Sequence, residues 1–364
     1  MKKTGPKRGL VTMRDVAQAT GFSPATVSIV LNNAPLARYI APSTRLRIEQ
    51  TAKRLGYRPN AMARFLRSRR SQSIGVMLFD VTDPFCTPIL RGIENALYPL
   101  GYLPIFADAH NQRDRFERYL EMLLERHVDG LIVVANWLFV EIDVLADLNK
   151  QEIPAATIGW EIPGDRVSSV MVDNETGGRL ALEHLYQRGH RRIAIIRGPE
   201  ELFDTEPRWA GVQRAAAEAG ITTHPRLIHQ LPNLMDSTSG FEGGLKISSE
   251  LLASSHPFTA VLAFDDLTAL GVVRGLTDAG LKVPDDCSVV GFDDVLPATV
   301  STPGITTIRQ PLKEMGLLSS EWTLQAINAQ EQQSDRPVQL YKAPPELVVR
   351  MSTSRCPSPK STRK

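Results

Sequence analysis

The sequence predicts an α/β protein with a small helical head, a short hinge and a larger core of doubly wound parallel sheets. Residues 1–73 show short helical apolar patterns and contain fifteen Lys and Arg residues against two acidic ones. From residue 73 onwards, short apolar runs alternate with helix-like segments, which is typical of parallel α/β sheets. At 364 residues the chain can form more than one domain.

Residues 11–58 predict three short helices. Ser23 suits the N-cap of the second helix, and Pro24 suits its first position, where a missing N–H costs nothing. The third helix is expected to open near Pro42 and to stop at Gly56. Two short helices joined by a tight turn that contains glycine are typical of a helix-turn-helix. The positions expected to face inwards are Val16, Ala17, Val27, Val30, Leu31, Ile48, Ala52 and Leu55.

The remaining segments follow from composition and spacing. Residues 59–72 are basic, have few apolar positions, and are predicted to form a hinge and linker. In residues 73–352, the runs SIGVMLFD, DGLIVVAN, PAATIGW, RIAIIRG, TAVLAFDD and CSVVGFDD predict buried strands. Most of them end in Asp or Gly, and ligands bind at the carboxyl ends of such strands. Residues 353–364 are basic and rich in Ser and Pro, which predicts a disordered tail.

The charge distribution separates the head from the core. After residue 73 the chain carries 27 basic and 38 acidic residues, so only the head is expected to meet a polyanion. Cys86, Cys287 and Cys356 are scattered and form no CxxC pair, which favours a reducing compartment. The basic N-terminus lacks the apolar run of a signal peptide, and no window approaches the ~18 apolar residues of a membrane span. The sequence therefore predicts a cytoplasmic protein.

From about residue 11 to residue 352 the chain resembles the lactose/galactose repressor (LacI/GalR) family of bacterial transcription factors. The segment VTMRDVAQATGFSPATVSIVLN resembles the family's DNA-reading head, and LGYRPNAMARFL resembles its hinge helix. GYLPIFADAHNQ, RHVDGLIVV, DNETGGRLALEHLYQRGHRRIAII, PDDCSVVGFDD and PGITTIRQP resemble its periplasmic-binding-protein-like core. The resemblance implies a homodimer that binds a pseudo-palindromic DNA operator and has a two-lobed effector core. It implies three crossings between lobes, with a first lobe of residues 74–173 plus 309–335 and a second of 174–308 plus 336–352.

The resemblance also implies which residues touch DNA. On the head these are Thr12, Ser23, Pro24, Ala25, Thr26, Ser28, Ile29 and Asn32. Thr26, Ser28 and Asn32 can hydrogen-bond phosphates or base edges, whereas Ala25 and Ile29 can touch thymine methyl groups. In the hinge the implied residues are Asn60, Ala63 and Leu66, with Leu66 as an apolar wedge in the minor groove. The alternative for Ile29 is a purely structural role, and the alternative for Leu66 is a plain linker leucine.

The effector residues implied by the resemblance are Phe85, Trp160, Asp204, Arg208, Asp265, Asp293 and Gln310. Arg208 is expected to clamp ligand oxygens in a bidentate manner. Asp266, which precedes LTALG, is expected to cap the next helix. Aromatic rings, carboxylates and one Arg suit a polyhydroxylated ligand, which favours a sugar or a sugar phosphate. Purines and other metabolites remain open alternatives.

Other classes are less well supported by the sequence. A periplasmic solute-binding protein would share the core but not the head. The chain has no GxxxxGK[ST], HExxH or GxSxG motif, so no enzyme activity, cofactor or metal site is predicted. His184 and His190 are six residues apart and are expected to be surface or structural residues. A DNA-binding protein that responds to no effector remains an alternative, and the tail carries no heptad repeat, which favours a dimer over a tetramer.

Overall fold

The computed structural model describes residues 11–32, 34–58, 70–134, 153–161, 166–232, 238–335 and 338–357. The chain divides into two compact units, residues 1–71 and 72–364. The α-helices in the described ranges are α1 (Met13–Thr20), α2 (Pro24–Leu31), α3 (Pro42–Leu55), α4 (Cys86–Leu97), α5 (Arg113–Glu125), α6 (Asn174–Gln187), α7 (Thr205–Glu218), α8 (Ser239–Ala253), α9 (Asp266–Asp278), α10 (Leu296–Val300) and α11 (Leu312–Glu331). The strands are β1 (Ser73–Leu78), β2 (Leu103–Asp108), β3 (Gly130–Val134), β4 (Ala155–Ile158), β5 (Val167–Val172), β6 (Ile193–Arg197), β7 (Ile228–Gln230), β8 (Ala260–Leu262), β9 (Ser288–Asp293), β10 (Thr306–Arg309), β11 (Leu340–Ala343) and β12 (Glu346–Val348).

The head forms the predicted helices α1, α2 and α3 around a small apolar core. Val16, Val27 and Ile48 are fully buried at its centre. The predicted caps are present, because the Ser23 side chain accepts from the Thr26 N–H and Gly56 ends α3 in the left-handed conformation, with φ of 72°. A 3-10 helix at Pro35–Tyr39, which the sequence did not predict, connects α2 to α3.

The core contains two six-stranded sheets, as predicted for a doubly wound α/β fold. The first sheet has the order β11-β5-β4-β3-β1-β2, and the second has the order β12-β10-β9-β8-β6-β7. Every strand pair is parallel except β10 with β12. The continuous apolar runs lie in the middle strands, which are buried along their length. None of the described helices is long and apolar enough to cross a membrane.

The chain crosses between the sheets three times, as the resemblance implies, but one predicted lobe boundary is wrong. The resemblance implies that residues 336–352 belong to the second lobe as one block. In the structure β11 pairs with β5 of the first sheet, with Tyr341 opposite Val170. Only β12, which pairs with β10, belongs to the second sheet. Because β11 pairs with a strand about 170 residues earlier, its own sequence gives no local signal of its sheet.

The three crossings lie next to one another. The N–H of Asp173 donates to the carbonyl of Ala343 at 2.9 Å, which joins the first crossing to the third. Arg309, at the end of β10, lies opposite Glu346 at the start of β12, and their side chains are 3.5 Å apart. The Asp294 carboxylate accepts from Arg309 Nε at 2.7 Å and also pairs with Arg350. All three connections are therefore tied together by hydrogen bonds and ion pairs.

Three helix pairs pack through reciprocal glycines. Between α4 and α11, a Cβ at Gly92 would lie 2.1 Å from the Lys313 carbonyl oxygen, and one at Gly316 would lie 2.2 Å from the Ile89 carbonyl oxygen. Such distances are far below van der Waals contact, so only glycine fits. The same arrangement joins α6 to α7 through Gly178 and Gly211, and α8 to α9 through Gly244 and Gly271.

The prediction of a disordered tail from residue 353 is wrong for residues 353–357. Thr353 is buried and its hydroxyl lies 3.0 Å from Nε2 of His184. The Ser354 carbonyl lies 3.2 Å from Nε2 of His190, and the Cys356 N–H donates to the Arg188 carbonyl at 2.8 Å. The two histidines are thus buried structural residues that hold this segment on the second lobe. Residues 358–364 lie outside the described residues.

These contacts predict that the protein loses stability on acidification. Burial, with a smaller contribution from Arg188, lowers the pKa of His184 from 6.5 to about 4. Between pH 6.5 and pH 4, His184 is therefore protonated in the unfolded chain but stays neutral in the folded protein. Stability should fall between pH 6.5 and pH 4, by at most about 1.4 kcal/mol per pH unit for this residue.

The measurement is urea unfolding across that pH range for the wild type and for His184→Gln. The variant should show a shallower fall, because it cannot take up the proton. His127→Gln replaces an exposed histidine and should keep the wild-type slope. Equal slopes for all three proteins would contradict the assignment.

Candidate DNA-binding head and ligand cleft

Helix α2 has few free polar groups on the face that the sequence predicts to read DNA. Ser23 and Pro24 are exposed at its start, as is Ala25. The Ser23 hydroxyl accepts from the Thr26 N–H at 3.1 Å and lies 2.9 Å from the Thr26 hydroxyl. These two hydroxyls therefore already have hydrogen-bond partners within the helix, and they stabilise its N-terminal end.

Further along the helix, Asn32 is also engaged internally. Its Nδ2 donates to the carbonyl and to the hydroxyl of Ser28, at 2.8 and 3.1 Å. Ile29 is half-buried, while Val27 and Val30 form the buried face. Ala25 and Ile29, the residues predicted to make apolar contacts with thymine methyl groups, are thus exposed and half-buried respectively.

Thr12 begins α1 with a capping box. Its side chain accepts from the Asp15 N–H, and the Asp15 carboxylate accepts from the Thr12 N–H at 2.7 Å. The carboxylate also accepts from the Thr12 hydroxyl. The bond from the Thr12 N–H, with a smaller contribution from this hydroxyl, lowers the pKa of Asp15. The predicted hinge residues Asn60, Ala63 and Leu66 lie outside the described residues.

The predicted effector residues lie at the carboxyl ends of strands in both sheets. Phe85 follows β1 and Trp160 follows β4 in the first lobe. In the second lobe, Asp204 follows β6, Asp265 follows β8, Asp293 ends β9 and Gln310 follows β10, while Arg208 lies in α7. Trp160 meets Phe203 of the second lobe, with ring centroids 5.6 Å apart. The two lobes therefore approach each other where the sequence predicts ligand binding.

Arg208 is buried at the centre of the second-lobe residues. Its Nε donates to Oδ1 of Asn174 at 2.9 Å, and its Nη1 donates to the Phe264 carbonyl at 2.7 Å. The guanidinium carbon lies 3.6 Å from the ring centroid of Phe292 and 4.4 Å from that of Phe264. These two bonds use the Nε–H and one Nη1–H of the five guanidinium donors, so the predicted bidentate clamp on a ligand would have to use the remaining Nη hydrogens.

Asp204 belongs to the same network. Its Oδ1 accepts from Nδ2 of Asn174 at 2.7 Å, and its Oδ2 lies 3.4 Å from Nη2 of Arg208. Burial raises the pKa of Asp204, whereas the Arg208 charge and the Asn174 bond lower it. The acid thus neutralises the single buried cation of this network.

Three further carboxylates face the cleft without a strong ion pair among the described residues. Burial, with a smaller contribution from the charge of Asp265 on the other lobe, raises the pKa of Asp83 to about 7. Burial also raises the pKa of Asp265 and of Asp293, which the charge of Arg208 opposes. The cleft therefore holds more acids than cations, and burial favours their protonated forms.

The helix after β8 is capped by Asp265, and the prediction that Asp266 caps it is wrong. Oδ1 of Asp265 accepts from the Thr268 N–H at 2.6 Å. Asp266 is fully buried, its Oδ2 accepts from the Val295 N–H at 2.9 Å, and burial raises its pKa to about 7. With two adjacent Asp residues, the sequence alone could not tell which one lies outside the first turn.

Asp293 and Gln310 pair with each other at the second crossing. Nε2 of Gln310 donates to Oδ1 of Asp293 at 2.6 Å. Asp293 has φ of 109°, a strained conformation for a residue with a side chain, and such strain concentrates at functional sites. A cavity of about 500 Å³ opens here, lined by both residues together with Pro88, Asp294, Arg309, Pro311, Leu312, Lys313, Glu314 and Leu317.

Sequence reasoning missed several members of the cleft. Three of them, Asp83, Asn174 and Phe203, occur in loops or at the start of a helix. The other two, Phe264 and Phe292, are at the ends of apolar runs, where the sequence predicts only buried core residues. A signal was present for two of them. Asp83 precedes Phe85 in the same strand-end loop, and Asn174 is the first residue of α6, two residues after the end of β5 at the first crossing.

A helix-turn-helix head joined to a two-lobed core with a ligand cleft defines a ligand-responsive, DNA-binding transcriptional regulator. Residues 12–60 match the family of bacterial regulatory proteins of the lacI type, and residues 182–353 match the periplasmic binding protein-like domain. The chain belongs to the LacI family of transcriptional regulators.

Individual relatives agree with this assignment. The chain is 31% identical over 343 residues to an HTH-type transcriptional repressor PurR from Aliivibrio fischeri strain MJ11, covering 94% of this chain and 98% of that protein. It is similar to the lac repressor dimer bound to operator and the anti-inducer ONPF, with 28% identity and a TM-score of 0.78 over 95% of this chain and 100% of the other. It is also similar to the transcriptional regulator CelR in complex with cellobiose, with 28% identity and a TM-score of 0.68 over 94% of this chain and 99% of the other.

Proposed function

We propose that this protein is a cytoplasmic, homodimeric repressor whose affinity for a pseudo-palindromic operator is controlled by an uncharged sugar or sugar derivative. The observation that carries the effector assignment is the composition of the cleft. Asp83, Asp265 and Asp293 offer carboxyl oxygens, while Arg208 already donates to Asn174 and to the Phe264 carbonyl. A carboxyl group accepts hydrogen bonds and, when protonated, also donates one, so a cleft of this kind suits a ligand with many hydroxyl groups.

The aromatic pair at the cleft supports a sugar in particular. Trp160 and Phe203 are each partly exposed and come from opposite lobes. An aromatic ring can pack against the apolar C–H face of a sugar while carboxylates accept from its hydroxyls. The similar regulator CelR was solved with cellobiose, which supports the same ligand class here.

The acid content argues against a phosphorylated ligand. A phosphate would add negative charge beside carboxylates whose ionised forms already cost free energy through burial. The guanidinium best suited to pair with it donates to Asn174 and to the Phe264 carbonyl. Among the sugar ligands predicted from the sequence, the uncharged ones are therefore favoured over sugar phosphates.

A homodimer is supported by exposed apolar residues on the core. Strand β2 is at the edge of the first sheet, and Leu103 and Phe106 on it are 64% and 47% exposed. Leu296 and Val300 of α10 are 71% and 69% exposed. Exposed apolar clusters of this kind mark interfaces, and the similar lac repressor was solved as a dimer on its operator. We propose that a second copy of this chain packs against these exposed residues.

The test combines DNA selection with a ligand panel. Duplexes bound by the full chain are selected from random DNA, and binding of the best one is measured with neutral sugars, sugar phosphates and purines. We expect a pseudo-palindrome, and a change in operator affinity of at least about tenfold with one neutral sugar, within the range of allosteric coupling. Asp293→Asn should weaken the response to the sugar, whereas Asp278→Asn, an exposed residue of α9, should not.

Two outcomes would overturn the proposal at different levels. Selection of unrelated, asymmetric sequences would exclude the dimeric operator reader. A pseudo-palindrome whose affinity responds to a sugar phosphate or a purine, and to no neutral sugar, would leave the regulator in place and exclude the effector class.

The hinge provides a further prediction. Leu66→Ala should lower operator affinity about tenfold or more. An apolar wedge unstacks a base step and bends the DNA, and the bent DNA makes additional contacts with the protein that the Ala variant would lose. Footprinting titration measures the loss, and ligand binding to the core should remain unchanged. Leu66→Met retains an apolar wedge and should retain most of the affinity. Full affinity in the Ala variant would contradict the wedge.

A further inference from the structure

We propose that Asp80, Asp108 and His110 form a binding site for one divalent transition-metal ion at the edge of the first lobe. The sequence predicted no metal site in this chain, because these residues do not form a known ligand motif. The structure brings them together through two neighbouring strands.

The positions follow from the parallel pairing of β1 and β2. Leu78, the last residue of β1, lies opposite Asp108, the last residue of β2. Asp80 lies two residues after β1 and His110 two residues after β2, so all three side chains come from one sheet edge. One ligand atom from each of the three residues lies within 4.8 Å of the other two.

This spacing is close to that of a coordination shell. Metal–oxygen and metal–nitrogen bonds of about 2.0–2.2 Å separate ligand atoms by about 3–4.4 Å. His110 is exposed, so rotation of its imidazole can adjust the distances between the ligand atoms. The site is thus almost formed without movement of the backbone.

The hydrogen bonds of Asp80 give an independent reason to expect a bound cation. Asp80 is 1% exposed, and its Oδ1 accepts from the N–H and the hydroxyl of Thr82, at 2.8 and 2.6 Å. Its Oδ2 is buried and has no hydrogen-bond partner among the described residues. An unsatisfied buried carboxylate oxygen is costly. A bound cation would satisfy it.

Asp108 is the second carboxylate at this site, and it adds further negative charge. Oδ1 of Asp108 accepts from the N–H groups of Val81 and His110, both at 3.1 Å. No Lys or Arg of the described ranges forms an ion pair with Asp80 or Asp108. Two neighbouring carboxylates without a compensating charge repel each other, and a divalent ion would remove that repulsion.

The donor set selects the class of ion. Two carboxylates with one imidazole suit Mn²⁺, Fe²⁺, Co²⁺ or Zn²⁺, whereas Mg²⁺ and Ca²⁺ prefer oxygen ligands alone. The described residues here contribute three ligands, so water would complete the shell. The thiol of Cys86 is fully buried in α4, and it is not required for the site.

The site would also stabilise the loop that carries the effector residues of the first lobe. The Asp83 N–H donates to the Asp80 carbonyl at 3.3 Å, and Oδ1 of Asp83 accepts from the Phe85 N–H at 2.8 Å. Metal binding at Asp80 would thus fix the start of a loop that ends with Asp83 and Phe85 at the cleft.

The test uses the untagged full-length protein after treatment with a chelator. Titration with Co²⁺ is followed by the d–d absorption of the ion, and titration with Mn²⁺ and Zn²⁺ is followed by calorimetry. We expect one ion per chain, with affinity reduced about 100-fold or more in Asp108→Asn and in His110→Ala. Both substitutions are at partly or fully exposed residues, so the variants should fold.

Matched controls separate this site from adventitious binding. His127→Ala removes an exposed histidine that has nearly the same backbone φ, 52° against 50° for His110, and should bind the ion normally. His224 and His256 have ring centroids 4.2 Å apart and could also attract a metal ion. The variant His256→Ala disrupts this pair and should still bind one ion with normal affinity. Absence of saturable 1:1 binding up to millimolar ion would overturn the proposal. So would binding that Asp108→Asn and His110→Ala leave unchanged.

Discussion

Replacing Arg208 with Met should destabilise the protein by about 3–5 kcal/mol, the cost of removing one partner from a buried ionic network. Met fills much of the space beside Phe264 and Phe292 but leaves the Asp204 carboxylate without its cation and the Phe264 carbonyl without its donor. Urea unfolding measures the loss. Arg214→Met is a matched control on the same helix, because its partner Glu175 is at the surface, and it should cost less than about 1 kcal/mol.

The pH dependence of this effect provides an internal check. Burial raises the pKa of Asp265 and of Asp293, and the charge of Arg208 counteracts that rise. Without Arg208 the folded protein would hold these protons to higher pH than the unfolded chain does, so its stability falls further as pH rises. The penalty of Arg208→Met should therefore be larger at pH 8 than at pH 5. A penalty that shrinks as pH rises would contradict this electrostatic role.

Gly316→Val should destabilise the first lobe by about 3 kcal/mol, at the upper end of the cost of overpacking. A Cβ at Gly316 would lie 2.2 Å from the Ile89 carbonyl oxygen, which belongs to the backbone and cannot rotate away. Helices α4 and α11 would have to separate along their contact. Thermal unfolding should show a fall in Tm of about 2–4 °C per kcal/mol.

The control for this prediction is on the same helix. Glu314→Val places the same β-branched residue at an exposed position of α11, where helix propensity alone costs less than about 1 kcal/mol. Similar losses in the two variants would show that the close approach of the helices is not the cause.

Local signals in the sequence predicted much of the head and of the two sheets. Ser23, Pro24 and Gly56 specify helix ends through their own backbone chemistry, and continuous apolar runs specify strands that are buried on both faces. Strand β2 was not among the predicted strands, because Pro104 interrupts its apolar residues and, as an edge strand, it has only exposed and half-buried positions. The sheet of β11 is decided by a partner far away in the chain.

The ligand cleft was predicted in outline, but its electrostatics were not. The strand-end positions of Asp265, Asp293 and Gln310 follow from the α/β pattern and the family resemblance. The partners of Arg208 do not, since Asn174 lies 34 residues before it and Phe264 lies 56 residues after it. The metal site was missed for the same reason, because Asp80 and Asp108 become neighbours only when β1 and β2 pair.

The three crossings between the lobes restrict how the lobes can move. Asp173 is bonded to Ala343, and Arg309 is paired with Glu346 and with Asp294. Bending of one crossing alone would strain its bonds to the others. We therefore expect the three connections to move together, as one hinge. A ligand that closes the cleft would then set one angle between the lobes rather than loosening or tightening each connection separately.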